Sequence, residues 1–246
     1  MKSFIKYTMA TVVGIFLTMT LFTIISIISL AGMMATEGMS APIKEKSILR
    51  LDLSGTLAER SDSNPFASLM NDGEEPLSLE DALLALDKAA KNENIIGVYL
   101  EGGAMGANPG MAQELRQALV EFKESGKWVV AYGDSYGKTA YYLSSVADSV
   151  LLNPEGNVDF GGMASQIMFY KDVMEKVGVK MQVFKVGTYK SAVEPFICTE
   201  MSPANREQVT SYLFSIWTNM LKDVAESRNM EVGKLNSLAD SLTMIS

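Results

Sequence analysis

The residues able to do hydrolytic chemistry converge on one stretch, residues 184–196, which reads Phe-Lys-Val-Gly-Thr-Tyr-Lys-Ser-Ala-Val-Glu-Pro-Phe. The pattern is that of a strand that breaks at Gly187 and presents Lys190 beside Ser191 on a turn. Pro195 then limits how a following helix can start. The chain has no histidine and one cysteine, Cys198. A Ser-His-Asp triad, His-ligated metals, a thiolate cluster and an internal disulfide are therefore excluded within it. Any hydrolysis must take its base from lysine or a carboxylate. Lysine suits that task because its ammonium loses its proton readily when desolvated. Bringing a lysine from about 10.4 to about 7 costs on the order of 4.6 kcal/mol, which burial must impose. Val186, Val193 and Phe196 are the apolar neighbours the stretch offers for that. The plain alternative is a solvated charge on a turn.

The elements that must position this stretch alternate along the chain. Residues 47–53 alternate like a half-buried strand. Residues 54–76, rich in Ser, Asn, Asp, Gly and Pro, read as a mobile loop. Ser78 caps a helix whose apolar face is Leu79, Ala82, Leu83, Leu86 and Ala90, with Asp81 at the capping-box position. A strand over 95–100 ends in the turn Glu101-Gly102-Gly103. Met111, Leu115, Ala118, Leu119 and Phe122 then mark a helix stopped by Gly126. Further strands are expected over 128–132, 150–152 and 181–186. Helices are expected over 139–147 and 169–177, from Pro203, and from Glu231. Strand and helix alternating through short connections give a parallel sheet flanked by helices.

Ahead of all this, Lys2 and Lys6 are followed by thirty residues without a charge, Tyr7 to Thr36. About 20 apolar residues span a bilayer, and a cleaved signal needs a core of only about 7–15 with a small-residue cleavage site. The best small pair here, Ser40-Ala41, is followed by Pro42, so a retained anchor is the expectation. Lysines before it and Glu37 after it place the N-terminus in the cytoplasm. A lone cysteine fits the oxidising side beyond. Setting aside Lys2 and Lys6 from the 21 basic residues leaves 19 against 29 acidic ones, a net of −10 beyond Thr36. Such a domain is ill suited to nucleic acid, whose phosphates demand Lys and Arg.

The 184–196 block, followed by Met201-Ser202-Pro203-Ala204-Asn205-Arg206, carries a resemblance to a known family. With Leu51-Asp52-Leu53, Gly133-Asp134, Tyr141-Tyr142-Leu143 and Gly161 in order behind the anchor, it resembles the N-terminal half of the signal peptide peptidase A family of the long, two-domain type. The resemblance covers essentially the whole chain. It implies a Clp protease/crotonase-like α/β domain with a parallel sheet flanked by helices, preceded by one transmembrane helix. It implies a serine endopeptidase with a Ser-Lys dyad, in the bacterial inner membrane with its catalytic domain periplasmic. Such an enzyme would degrade cleaved signal peptides and other short apolar peptides. Partners would be peptide substrates, the membrane and further copies of the chain; no cofactor, metal or nucleic acid is implied.

The site residues follow from the same resemblance. Lys190 matches the base. Ser191 is a supporting candidate, and Gly102 and Gly103 are oxyanion candidates resembling the family's glycine turn. Tyr189 and Glu194 could orient the lysine, although a turn aromatic and a solvated carboxylate are the plainer readings. In that family the nucleophile sits in a second copy of the domain. Here residues 133–141 align with the nucleophile segment, and Lys138 falls where the serine would be. This domain would thus supply the base and not the attacker, and the chain alone would be inactive. Ser135, Ser144 and Ser145 read as capping and packing residues, and Tyr141 and Tyr142 as core. The expected division is a cytoplasmic tip and anchor over 1–36, a linker over 37–46 and the peptidase N-terminal domain over 47–246, the nucleophile-bearing domain being absent. Two rival readings remain, a crotonase-like acyl-CoA enzyme and a non-catalytic membrane scaffold.

Overall fold

The computed structural model describes residues 2–37, 42–61 and 77–241. The pair Ser40-Ala41, most of the loop expected over 54–76, and Leu242 with the closing Met244-Ile245-Ser246 lie outside them. The chain forms two compact units, divided after Lys44.

The first unit is the helix α1, Lys2–Glu37. Its segment Ser3–Ser29 is long and apolar enough to cross a membrane. Its 27 residues rise about 40 Å as a helix, more than the ~30 Å of a bilayer core. Four threonines that interrupt its apolar surface are satisfied internally. Thr8, Thr11, Thr20 and Thr23 each donate to the carbonyl four residues back, at 2.8–3.0 Å. A hydroxyl bonded in this way exposes little polarity to lipid.

The second unit is the α/β domain. Strands β1 (Ser47–Thr56), β2 (Ile95–Gly106), β3 (Trp128–Tyr136) and β4 (Ser149–Val158) form one sheet in the order β1-β2-β3-β4, every neighbouring pair parallel. The helices α2 (Leu79–Lys91), α3 (Pro109–Glu124) and α4 (Lys138–Ser144) are the crossovers that parallel pairing requires. The caps follow the sequence. Ser78 accepts the Asp81 N–H, Asn108 accepts the Gly110 N–H, and Gly126 leaves α3 at φ +80, where a side chain would be strained. Leu51, Leu53, Val98, Leu100, Val129 and Ala131 from the strands pack with Leu86, Leu115, Leu119, Phe122 and Leu143 from the helices into one core. The parallel sheet flanked by helices is the α/β architecture expected.

Two differences matter. The strands run longer than the apolar runs that announce them, so Glu101-Gly102-Gly103 lies within β2 and is not a turn, and β3 continues through Gly133-Asp134 past its expected end at 132. Gly102 pairs with Leu53 on one side and Gly133 on the other. Conversely, residues 181–186 form no strand. After α5 (Lys171–Lys176), the chain runs without regular structure from 179 to 186, with Phe184 and Val186 almost fully exposed. Alternating apolar residues make a strand only where a neighbour takes up the backbone hydrogen bonds, and the described sheet ends at β4.

Candidate active site

Lys190 stands at the start of a single 3₁₀ turn, Ser191–Val193, which runs directly into the short helix α6, Glu194–Ile197. The break before it is at Gly187, whose φ of +95 suits glycine. Lys190 itself is exposed and Ser191 half-buried. Among the described residues the apolar cover expected for the lysine is only partly in place: Val193 is half-buried, but Val186 is 89% exposed and Phe196 38%.

Glu194, expected as a solvated carboxylate, is 2% exposed. It accepts the Ser202 hydroxyl at 2.6 Å, the Ser202 backbone N–H at 3.2 Å and the Asn205 side-chain amide at 2.9 Å. Ser202 is the N-cap of α7, Pro203–Ser227, so the carboxylate closes the end of a 25-residue helix. The Ser202 hydroxyl chiefly, with Asn205, holds the Glu194 carboxyl below its ordinary value, against desolvation by burial. Tyr189 donates to Glu207 Oε2 at 3.2 Å, again on the first turns of α7. On the other side of the turn, the Tyr170 N–H donates to the Pro195 carbonyl at 2.6 Å and the Tyr170 and Phe196 rings stack. Neither Tyr189 nor Glu194 has its hydrogen bond to Lys190.

The opposite end of α7 is locked by a residue that periodicity did not single out. Arg116 lies on the buried face of α3 and is 5% exposed. It donates to the Tyr142 carbonyl, to Ser145 Oγ at 2.8 Å, to the Asp223 carbonyl at 2.7 Å and to Ser227 Oγ at 2.6 Å. Its guanidinium also lies 4.6 Å from the Tyr142 ring centroid, and the Tyr142 hydroxyl donates to Asp223 Oδ2 at 2.5 Å. Burial lowers the pKa of the guanidinium, opposed by Tyr142, Asp223 and Glu226. Burial, then the bond to Asp223, pushes the Tyr142 phenol upward. A cation on the apolar face of α3 was the available signal, because a charge is kept inside only when its donors are used. From Asn205 to Asp223, α7 spans about 27 Å, carrying the order of the core out to the lysine turn.

The remaining candidates are placed as follows. Gly102 faces the Tyr136 ring, and a Cβ there would lie 2.3 Å from a ring carbon. The Gly103 carbonyl accepts the Gly137 N–H at 2.9 Å, tying β2 to the start of α4. Lys138, at the first position of α4, donates to the Gly162 carbonyl. Ser144 and Ser145 are fully buried, the latter between Arg116 and the Tyr142 carbonyl, which is the packing role expected of them. Tyr142 is core and Tyr141 packs edge-on against Phe160.

Residues 121–244 match the model of peptidase family S49, which is half of the chain. The chain belongs to peptidase family S49. Protease 4 of Salmonella typhi is 34% identical over 222 residues, covering 85% of this chain and 36% of that protein. Protease 4 of Haemophilus influenzae is 32% identical over 203 residues, 80% of this chain and 33% of that protein. A chloroplastic serine protease SPPA of Arabidopsis thaliana is 30% identical over 185 residues, 75% and 26%. The chain thus spans about a third of the length of these relatives. Among solved structures, an enoyl-CoA hydratase/isomerase family protein from Silicibacter pomeroyi aligns at 12% identity over 82% of this chain and 97% of its own, with a TM-score of 0.31. The S49 segment takes in Lys138, Lys190, Glu194 and all of α7, whereas Gly102 and Gly103 precede it.

Proposed function

We propose that this chain is the base-bearing part of a membrane-anchored serine peptidase with a Ser-Lys dyad. Lys190 accepts the proton of a serine hydroxyl as that oxygen attacks the scissile carbonyl, and returns it to the leaving amine. The serine comes from a second domain, because the aligned position here is Lys138, whose amine is engaged by the Gly162 carbonyl. The single observation that carries the reading is the state of Lys190. It stands on a turn pinned to α7, inside the S49 segment, with an exposed apolar strip beside it. Cover from the partner domain would desolvate the amine and bury Phe184 and Val186 together. Backbone N–H groups stabilise the oxyanion, with Gly102 and Gly103 as candidates and Ser191 supporting the lysine.

Substrates are short apolar peptides, cleaved signal peptides among them, and the working form is a homo-oligomer. The helix α1 holds the protein in the bacterial inner membrane with the N-terminus cytoplasmic; alkaline carbonate washing should leave it in the pellet. The test of the dyad is turnover of a fluorogenic apolar peptide by the full-length natural protein. Lys190→Ala and Lys190→Arg should each lower kcat/KM by about 10³-fold or more, arginine because its guanidinium cannot act as a base near neutrality. Lys190→Ala should keep roughly the wild-type Tm, since removing a desolvated amine relieves a cost. A Lys190→Ala protein retaining more than about a tenth of wild-type kcat/KM would falsify the assignment.

A further inference from the structure

The segment bearing Lys190 has little core of its own, yet it is tethered on both sides of the lysine to the same helix end. One residue before, the exposed Tyr189 hydroxyl reaches Glu207. Four residues after, the buried Glu194 carboxylate takes three hydrogen bonds from Ser202 and Asn205. The two tethers are unequal. A neutral donor meeting an exposed carboxylate competes with water, whereas a buried carboxylate left without its donors is strongly disfavoured. The span between Lys190 and Glu194 is one 3₁₀ turn, closed by the Glu194 N–H on the Ser191 carbonyl. The Glu194 carbonyl in turn accepts the Cys198 N–H at 2.8 Å. Wherever the first turn of α7 goes, the lysine backbone follows.

We propose that Glu194 is the positioning residue for Lys190, fixing through Ser202 and Asn205 the angle at which the lysine leaves the surface. The inference rests on the reading of Lys190 as base, and it assigns Glu194 no contact with substrate. A dyad base must stand within hydrogen-bond reach of the serine proton, and a misplacement of 1 Å is enough to cost about 10²-fold in rate. Within this chain the exposed Lys190 side chain gets no such precision from packing around its own stem. Here the precision comes from the buried carboxylate one turn away.

The experiment compares Glu194→Ala, Glu194→Gln and Lys190→Ala in the full-length natural protein, well below Tm, with kcat and KM measured separately. Glu194→Ala should lower kcat about 10²-fold with KM changed less than about twofold. Glu194→Gln keeps an acceptor oxygen for Ser202 and should recover kcat to within about tenfold of wild type. A merely structural carboxylate would lower the Tm in both variants and leave kcat of the folded protein unchanged. If Lys190→Ala is inactive while Glu194→Ala keeps kcat within about threefold, the positioning role is wrong and the base assignment stands. If Lys190→Ala is active, the base assignment itself fails and this inference with it. Should Glu194→Ala not fold, Ser202→Ala removes the shortest donor, with kcat expected about tenfold down; a wild-type kcat there overturns the proposal equally.

Discussion

Replacing Arg116 by alanine is the sharpest test of how this domain holds its working helix. The side chain is 5% exposed and donates to two carbonyls and two hydroxyls on α4 and α7. Truncation leaves these acceptors facing a void, removes the cation over the Tyr142 ring, and strands Asp223 beside Tyr142. Hydrogen bonds to a charged group contribute about 1.5–3 kcal/mol each, but four sharing one guanidinium do not add. Breaking one partner out of a buried charged network costs about 3–5 kcal/mol. For a domain of this size each kcal/mol lowers Tm by about 2–4 °C, so a fall on the order of 10 °C is expected. Trp217, buried on α7, gives a fluorescence readout of the melt. Arg116→Lys keeps the charge but not the fork, and should lose somewhat less. A Tm within about 2 °C of wild type for Arg116→Ala would refute the claim that this network locks α7.

Three further outcomes follow from single contacts. Gly102→Ala drives a methyl to 2.3 Å from the Tyr136 ring, and should destabilise by about 1–3 kcal/mol in chemical denaturation. Lys138→Ala forfeits the bond to the Gly162 carbonyl, about 1 kcal/mol of stability, and should leave turnover close to wild type. Glu194 lies below its ordinary 4.5 in the folded chain, so its contribution is full above that value and is lost as pH falls through the folded value. Protection against amide exchange at Cys198 and Ser202, taken relative to the unstructured chain at each pH, should therefore fall in acid for the wild type and show no such step in Glu194→Gln.

Features governed by local rules are legible in the amino-acid order alone. Thirty uncharged residues dictate an apolar helix whatever follows. Ser78, Gly126 and Ser202 set helix ends through their own backbone and side-chain chemistry, and the apolar periods of α2 and α3 assign their buried faces. The absence of histidine narrows a hydrolytic base to lysine or a carboxylate. Tertiary structure decided the rest, because burial and pairing depend on residues far apart in the chain. Residues 181–186 have a strand's alternation, but no strand among the described residues pairs with them, and they are irregular. Gly102 looks like a turn and is strand interior, because β1 and β3 flank it and pair with it. Glu194 looks like a surface charge and is buried, because Ser202 and Asn205 fold back on it. Arg116 looks like one more helix cation, and only a hydroxyl 111 positions away, with three other acceptors, makes it the clamp of α7.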